Sequence, residues 1–417
     1  MDVPDAVEAA RLVLRLRTAE DQAVVYGRLA ALGPVHVMPW KAVVVTSHQA
    51  CRQVLADAAW ATLDGGRRDR ITPGWRANPS LVGFHSSLIT TNPPAHAGLR
   101  RTLTAGLSPR AVAGLGAGVA AAVGRCLDEV GAALAADGTA DLVPVLSERL
   151  PTEILCTWLG LPTGDAPALA RLTRRWSLAF ELGPSPAQLA DADRAHAALQ
   201  DYLRPHLLRR RSAPGDDTLS RWQLPAPHGG GLDITQALDN TALMFLGAKD
   251  LTALTTSAAH TLLSDPSLVA RLRQDSTSAV AAAENIARLH PPIAVVTRVA
   301  SRDMLLGGVT VEAGRIVHAL LQPANRDSAH VGAGLAFGAG IHYCPGASLT
   351  RLQLRTLLPA VASRFPALRI AAAAPTRGVA FPHRPSLLVT DRPAAHTVIC
   401  PRRSTSTGVA GAPLPGP

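Results

Sequence analysis

A cysteine set among glycines constrains this chain more than any other feature. Residues 337–351 read Phe-Gly-Ala-Gly-Ile-His-Tyr-Cys-Pro-Gly-Ala-Ser-Leu-Thr-Arg. Gly338, Gly340 and Gly346 let the backbone turn tightly and approach a flat ligand, and Cys344 sits where those turns present a sulfur. Beyond it Ala347, Leu349, Leu352, Leu354, Leu357 and Leu358 follow an apolar helical pattern, so a helix is expected to start within a turn of the cysteine. A helix start lowers a thiol's pKa and favours the thiolate. Such a sulfur can ligate haem iron from one side and push electron density toward oxygen on the other. The plain alternative is a buried structural cysteine in a Gly-rich turn.

The pattern F-x-x-G-x-H-x-C-x-G is matched by Phe337, Gly340, His342, Cys344 and Gly346. It resembles the haem-binding loop of bacterial cytochromes P450. The resemblance covers roughly residues 20–395 and implies a mainly α fold with small β-sheets, a single prism-shaped domain around a buried haem b, iron protoporphyrin IX. Residues 1–19 then form an N-terminal segment and 20–400 the catalytic domain. Residues 401–417, rich in Pro, Gly, Ser and Thr, are expected to be a disordered tail.

Composition narrows the class independently. Charged residues make up 17% and hydrophobic ones 47%, as expected of a globular, Ala- and Leu-rich helical protein. The net charge of +10 admits nucleic acid, an anionic cofactor or an acidic protein as partner. No aromatic-interleaved basic run, zinc spacing or helix-turn-helix signature occurs, which disfavours nucleic acid. Five widely spaced cysteines without a C-x-x-C argue for a reducing compartment. No leader pattern or uninterrupted apolar span is present, so a cytoplasmic protein that does not enter a membrane is expected.

Along the chain, residues 6–32 read as an amphipathic helix or two, 42–47 as a short strand, and 48–56 as a helix. Residues 60–90 show no sustained period and read as a long loop, which in the family lies over the substrate. His96 and Arg100 stand four apart and share one helix face. Further helices are expected over 110–135 and 140–163, and two long ones over 165–211 broken at Gly183-Pro184-Ser185-Pro186, a plausible hinge where the family has its lid. A Gly-rich linker at 229–231 precedes a proline-free helix from Asp233 to about Ser264. Val280–Leu289 is a further helix, and Leu305–Val317 resembles a hairpin turning at Gly307-Gly308.

The resemblance assigns roles residue by residue. Cys344 would be the axial iron ligand, within a cofactor-binding loop that includes Phe337 and Gly346. His96, Arg100, Arg298 and His342 would hold the two propionates, since cationic and donor groups suit carboxylates. In the long helix the family's A-G-x-[DE]-T supplies an acid and an alcohol for proton delivery. Here Asp250 keeps the acid place and Leu251 stands where the alcohol belongs; Thr252 follows, turned about 100° away on a helix. Asp250 and Thr252 are the candidate catalytic groups, and a capping or solvated carboxylate is the plain reading of Asp250.

Two further departures stand out. The family's E-x-x-R has Asn285 for its glutamate, with Arg288 kept, and Glu284 stands four before Arg288 as a possible substitute partner. Only the nine residues 328–336 separate Asp327 from Phe337, where the family has a longer stretch with an arginine that bonds the E-x-x-R glutamate. The two losses read as coupled, because a buried glutamate without that arginine would be an unpaired charge.

The resemblance implies a haem-thiolate oxidoreductase of monooxygenase type acting on a small apolar molecule with O2 or peroxide. Its electrons would come from a ferredoxin, with Arg351 and Arg355 as part of a basic docking face or simply a solvated one. Leu251 leaves three outcomes open: a relay completed by substrate or water, a non-hydroxylating coupling, cyclisation or desaturation, or a peroxide route. A step in secondary-metabolite biosynthesis is expected by analogy with the family's use. The competing reading is a haem-binding protein without turnover, a sensor or structural partner. Phe84, Phe180 and Phe245 are the aromatic candidates for the pocket wall, Phe245 equally for helix packing.

Overall fold

The computed structural model describes residues 3–19, 21–181, 183–223, 231–330 and 332–392. The tail at 401–417, Cys400 and the first two glycines of the 229–231 linker lie outside the described residues. Among the described residues the chain is mainly helical with three small sheets. Its centre is the helix Ile234–Ser264. Asp233 starts it, accepting the Gln236 N–H at 2.8 Å while Gln236 reaches back to the Asp233 N–H at 3.3 Å. It ends at Asp265, where Pro266 opens the next helix.

This helix joins two cores. Its first half carries Leu238, Ala242 and Phe245 into a cluster with Leu199, Leu203, Trp176 and Trp222. Its second half carries Leu254, Ala258 and Leu262 against Val123, Cys126 and Leu127, and against Leu354, Leu357 and Leu358 of the helix Ala347–Arg364. Each leucine so buried contributes about 1.5–3 kcal/mol. Phe245, 1% exposed, is therefore core packing and not pocket wall.

The strands are β1 (Val35–Val37), β2 (Val43–Val45), β3 (Trp60–Ala61), β4 (Ala140–Asp141), β5 (Val295–Ala300), β6 (Met304–Leu306), β7 (Val309–Val311), β8 (Ile316–Leu320), β9 (Arg369–Ala373) and β10 (Leu387–Thr390). They pair in the orders β1-β2-β8-β5-β3, β4-β10-β9 and β6-β7. Antiparallel pairing of β5 with β8 sets Arg298 opposite Val317 and fixes its direction. The expected hairpin is β6-β7, turning at Gly307 and Gly308, both at positive φ.

Most helices form where the pattern predicts them. Residues 6–32 give Val3–Arg15 and Gln22–Ala31, and His48–Ala56 forms with Ser47 as its cap. The pair over 165–211 becomes Ala166–Trp176 and Pro186–Ser212, separated by Gly183 at φ +72° and a Ser185–Gln188 capping box. Residues 140–163 hold β4 and a π-helical turn at Val143–Arg149 before Leu150–Leu159. The segment 60–90 is not a loop: it folds into β3, the helices Gly65–Ile71 and Pro79–His85, and short 3-10 turns. Asp64 caps the first helix by accepting the Arg67 N–H at 2.8 Å. The second is pinned from outside, its Ser80 N–H donating to Asp193 at 2.9 Å.

Candidate functional site

The cysteine loop is built by two left-handed glycines and a seat on another helix. Gly338 and Gly340 have φ of +72° and +69°. A Cβ on Gly340 would lie 2.7 Å from the Ala56 Cα and from the Ala56 and Leu55 carbonyl oxygens, so the loop rests against the end of His48–Ala56. The Cys344 N–H donates to the Phe337 carbonyl at 2.9 Å and closes the turn. Cys51, Cys126 and Cys156 are fully buried core residues, whereas Cys344 alone of the described cysteines is part-exposed.

The sequence reading expects a lowered thiol pKa, and the structure gives the opposite. Burial raises the pKa of Cys344, against the Gly346 N–H, the Arg100 charge and the Ala347 N–H, which lower it. The helix Ala347–Arg364 starts within a turn of the cysteine as expected, but desolvation of the sulfur outweighs the helix start.

Beside the loop stands a group of bases without an acid. His96, on the helix Ala95–Thr104, is 3% exposed and its Nε2 has no hydrogen-bond partner among the described residues. Its ring meets that of His342 edge-on at 4.5 Å between centroids. Arg100 shares the helix and donates from Nη2 to the Tyr343 carbonyl at 2.7 Å. Arg298 is 8% exposed and makes one internal bond, from Nη1 to the Thr297 carbonyl at 3.0 Å. Burial pushes Arg298 down to about 10. Burial, then Arg298, His96 and Arg100, push His342 down to about 3, and His96 is lowered by burial and Arg100. The four groups predicted for the propionates thus come together, and the charges acting on them are one another's. A dianion fits here, and the two carboxylates of a haem beside a free thiol fit the whole arrangement.

The long helix presents two different faces. Leu251 packs on the cluster that also takes Phe337 and Cys344. Gly247, one turn earlier, is exposed with open space where a side chain would project. Lys249, Asp250, Thr252 and Ala253 line a cavity of about 240 Å³ together with Glu148, Arg174, Glu181 and His383. Thr252 is turned away from the Leu251 face, as the helical geometry requires. Asp250 lies at the margin of the two faces. Its side chain is 12% exposed, its Oδ1 accepts no hydrogen bond from the described residues, and the Lys249 ammonium stands 3.8 Å off. Burial raises its carboxyl to about 6, against the opposing pull of Lys249.

Other expectations need correction. Glu284 does not pair with Arg288; it pairs with Arg351. Arg288 instead donates to the Asn285 side chain at 2.8 Å and to the Asn325 carbonyl at 2.6 Å. Asn285 is exposed, so burial is not what disfavours a glutamate there. Arg351 is engaged within the chain and is no free docking charge. The shortened run 328–336 is held by contacts the sequence reading missed: His330 stacks on His48 at 3.3 Å, the Leu335 N–H donates to Asn325 at 2.6 Å, and Gly334 lies against the Arg288 stem. Phe84 and Phe180 meet at 4.5 Å, joining the segment 60–90 to the helix break near Gly183.

No family model matches the chain. It is 30% identical over 347 residues to nocardicin C N-oxygenase of Nocardia uniformis subsp. tsuyamanensis, covering 79% of this chain and 83% of the relative. It is equally 30% identical over 374 residues to the cytochrome P450 monooxygenase PikC of Streptomyces venezuelae, covering 84% and 86%. Among solved structures it resembles ligand-free CYP164A2 of Mycobacterium smegmatis, with a TM-score of 0.79, 27% identity and coverage of 91% and 100%.

Proposed function

The chain belongs to the cytochrome P450 family, haem-binding oxidoreductases, and on that premise we propose that Cys344 ligates the haem iron and that His96, Arg100, Arg298 and His342 hold the propionates. The observation that carries this reading is the group of four bases beside the Cys344 thiol, with no acid acting on them among the described residues and a buried His96 Nε2 left without a partner there. Phe337 and Gly346 complete the cofactor loop. When bound, the haem supplies the redox chemistry, taking electrons and activating dioxygen.

The chain's own residues do the rest. The loop on Gly338 and Gly340 sets Cys344 against the same apolar cluster as Leu251 of the helix Ile234–Ser264. Asp250, raised to about 6, exchanges a proton near neutrality and lies between the polar cavity and the Leu251 face, so protons reach its carboxylate from the cavity side. Thr252 serves that cavity and not the Leu251 face. With leucine at 251 no side-chain alcohol passes the proton onward, so a substrate hydroxyl or a water takes that place, or peroxide supplies the oxidant with its protons already bound; coupling, cyclisation or desaturation uses as many protons per O2 as hydroxylation does.

The substrate in this reading is a small, largely apolar molecule of secondary metabolism. The relative named a nocardicin C N-oxygenase supports the place in secondary metabolism and does not bear on polarity. Electrons come from a ferredoxin-type donor docking near Tyr343, which is 38% exposed beside the cysteine. The protein works in the cytoplasm; among the described residues no single helix is long and apolar enough to cross a membrane.

The test is to titrate the purified protein with candidate substrates, follow the Soret band, and analyse products with ferredoxin, its reductase and O2. A substrate-induced shift followed by a product supports the reading. Haem uptake with neither returns the protein to the non-catalytic role of sensor or structural partner. In the same assay Leu251→Thr is expected to raise the coupling of electrons to oxygenated product severalfold if the native reaction hydroxylates. No gain, or a change of product, marks chemistry that does not need the alcohol.

A further inference from the structure

We propose that Arg351, clamped by Glu284, is a positioning residue for the cysteine loop. It stands where the family resemblance would put a glutamate at 285 and an arginine in a longer approach to Phe337, and where this chain has Asn285 and the nine residues 328–336. The clamp touches both ends of the loop. The Arg351 guanidinium lies over the Phe337 ring, 4.6 Å from its centroid, where the loop begins. Its Nη1 donates to the Tyr343 hydroxyl at 3.0 Å, one residue before the cysteine. Its remaining donors engage Glu284 in a two-point pair, Nη2 to Oε2 at 3.1 Å and Nε to Oε1.

An exposed ion pair by itself contributes little. This one is different in what it spans. Glu284 belongs to the helix Ala279–Leu289 and Arg351 to the helix Ala347–Arg364, so the pair ties two helices together while the same guanidinium holds Phe337 and Tyr343 of the loop. A planar, fully ionised fork can stack on Phe337 and keep its hydrogen bonds in one geometry, which a lysine cannot. The same acid-bearing helix also carries Arg288, whose bond to the Asn325 carbonyl secures the start of the shortened run. The clamp and this strut hold opposite ends of residues 325–343.

The clamp rests on the haem-thiolate reading for its purpose and not for its test. Hydrogen exchange of the amides from Phe337 to Gly346 is measured in the purified full chain for the wild type and for Arg351→Met, Arg351→Lys and Glu284→Gln. Arg364→Met serves as control, because Arg364 lies on the same helix and pairs with Asp128 away from the loop. The expected result is about tenfold faster exchange of the Cys344 amide in Arg351→Met, a smaller rise in Arg351→Lys and Glu284→Gln, and none in Arg364→Met. The reduced carbon monoxide spectrum should shift in the same order from the thiolate band toward the blue-shifted band of a displaced sulfur. Equal exchange in Arg351→Met and Arg364→Met overturns the clamp. Should Arg351→Met not fold, the two conservative variants decide by the same comparison, and loop exchange no faster than in Arg364→Met overturns it. A wild type without the thiolate band would contradict the haem-thiolate reading alone, since the exchange comparison does not depend on it.

Discussion

At Asp250 a carboxyl is buried with one oxygen unpartnered and an ammonium just beyond hydrogen-bond reach. Its folded pKa, about 6, lies above the ordinary 3.8. Stability lent by the protonated acid is therefore full below the unfolded value and lost as pH rises through about 6. Asp250→Asn removes that loss. It is expected to be more stable than the wild type at pH 8, by about 1–3 kcal/mol, and level with it in acid, as read from urea unfolding across pH. An unchanged or lower midpoint at pH 8 would show that Lys249 or water compensates the charge fully. The acid itself is legible in the sequence through the helix motif. Its cavity is not, because the other walls come from Glu148, Arg174 and His383, far away in the chain. Thr252 shows the same limit in reverse: its turn away from Leu251 follows from helix geometry alone, while what it faces does not.

Among elements, the cysteine loop depends most on one backbone conformation. Gly340 sits at φ +69° with the Ala56 backbone 2.7 Å from where a Cβ would be. Gly340→Ala should leave the helical circular dichroism intact and lower the haem content of the purified protein severalfold, because strain and backbone contact both fall on the loop. Full haem content in that variant would mean that the loop does not rest on His48–Ala56. The long helices were readable because caps, apolar spacing and proline breaks agree over many turns, as at Asp233 and Pro266. The segment 60–90 was not readable. Its helices are seven residues long, and distant groups such as Asp193 hold them. Propensity cannot announce so short a helix. The expected Glu284–Arg288 pair failed for a related reason: spacing of four permits a contact, but Arg351 offers Glu284 two hydrogen bonds, while Asn285 and Asn325 satisfy Arg288.

Across the whole molecule, the helix Ile234–Ser264 binds two hydrophobic cores, and the sheet on β5 and β8 delivers Arg298 to the bases beside the cysteine. Residues as far apart as His96 and His342 thereby meet at 4.5 Å. Their partnership was legible only through resemblance to a family, since nothing local links positions so distant in the chain. The molecule also keeps its loop in place with a shortened approach, using the His48–His330 stack, Asn325 and the Arg351 pair. That rewiring makes the state of the cysteine the point on which the account rests. The most direct measurement is the absorption spectrum of the reduced, carbon-monoxide-bound protein, taken for the wild type and for Cys344→Ser. Ligation by Cys344 predicts the red-shifted band of a thiolate ligand in the wild type and its loss in the variant. A band that survives the substitution, or a wild type that shows only the blue-shifted form, would contradict it.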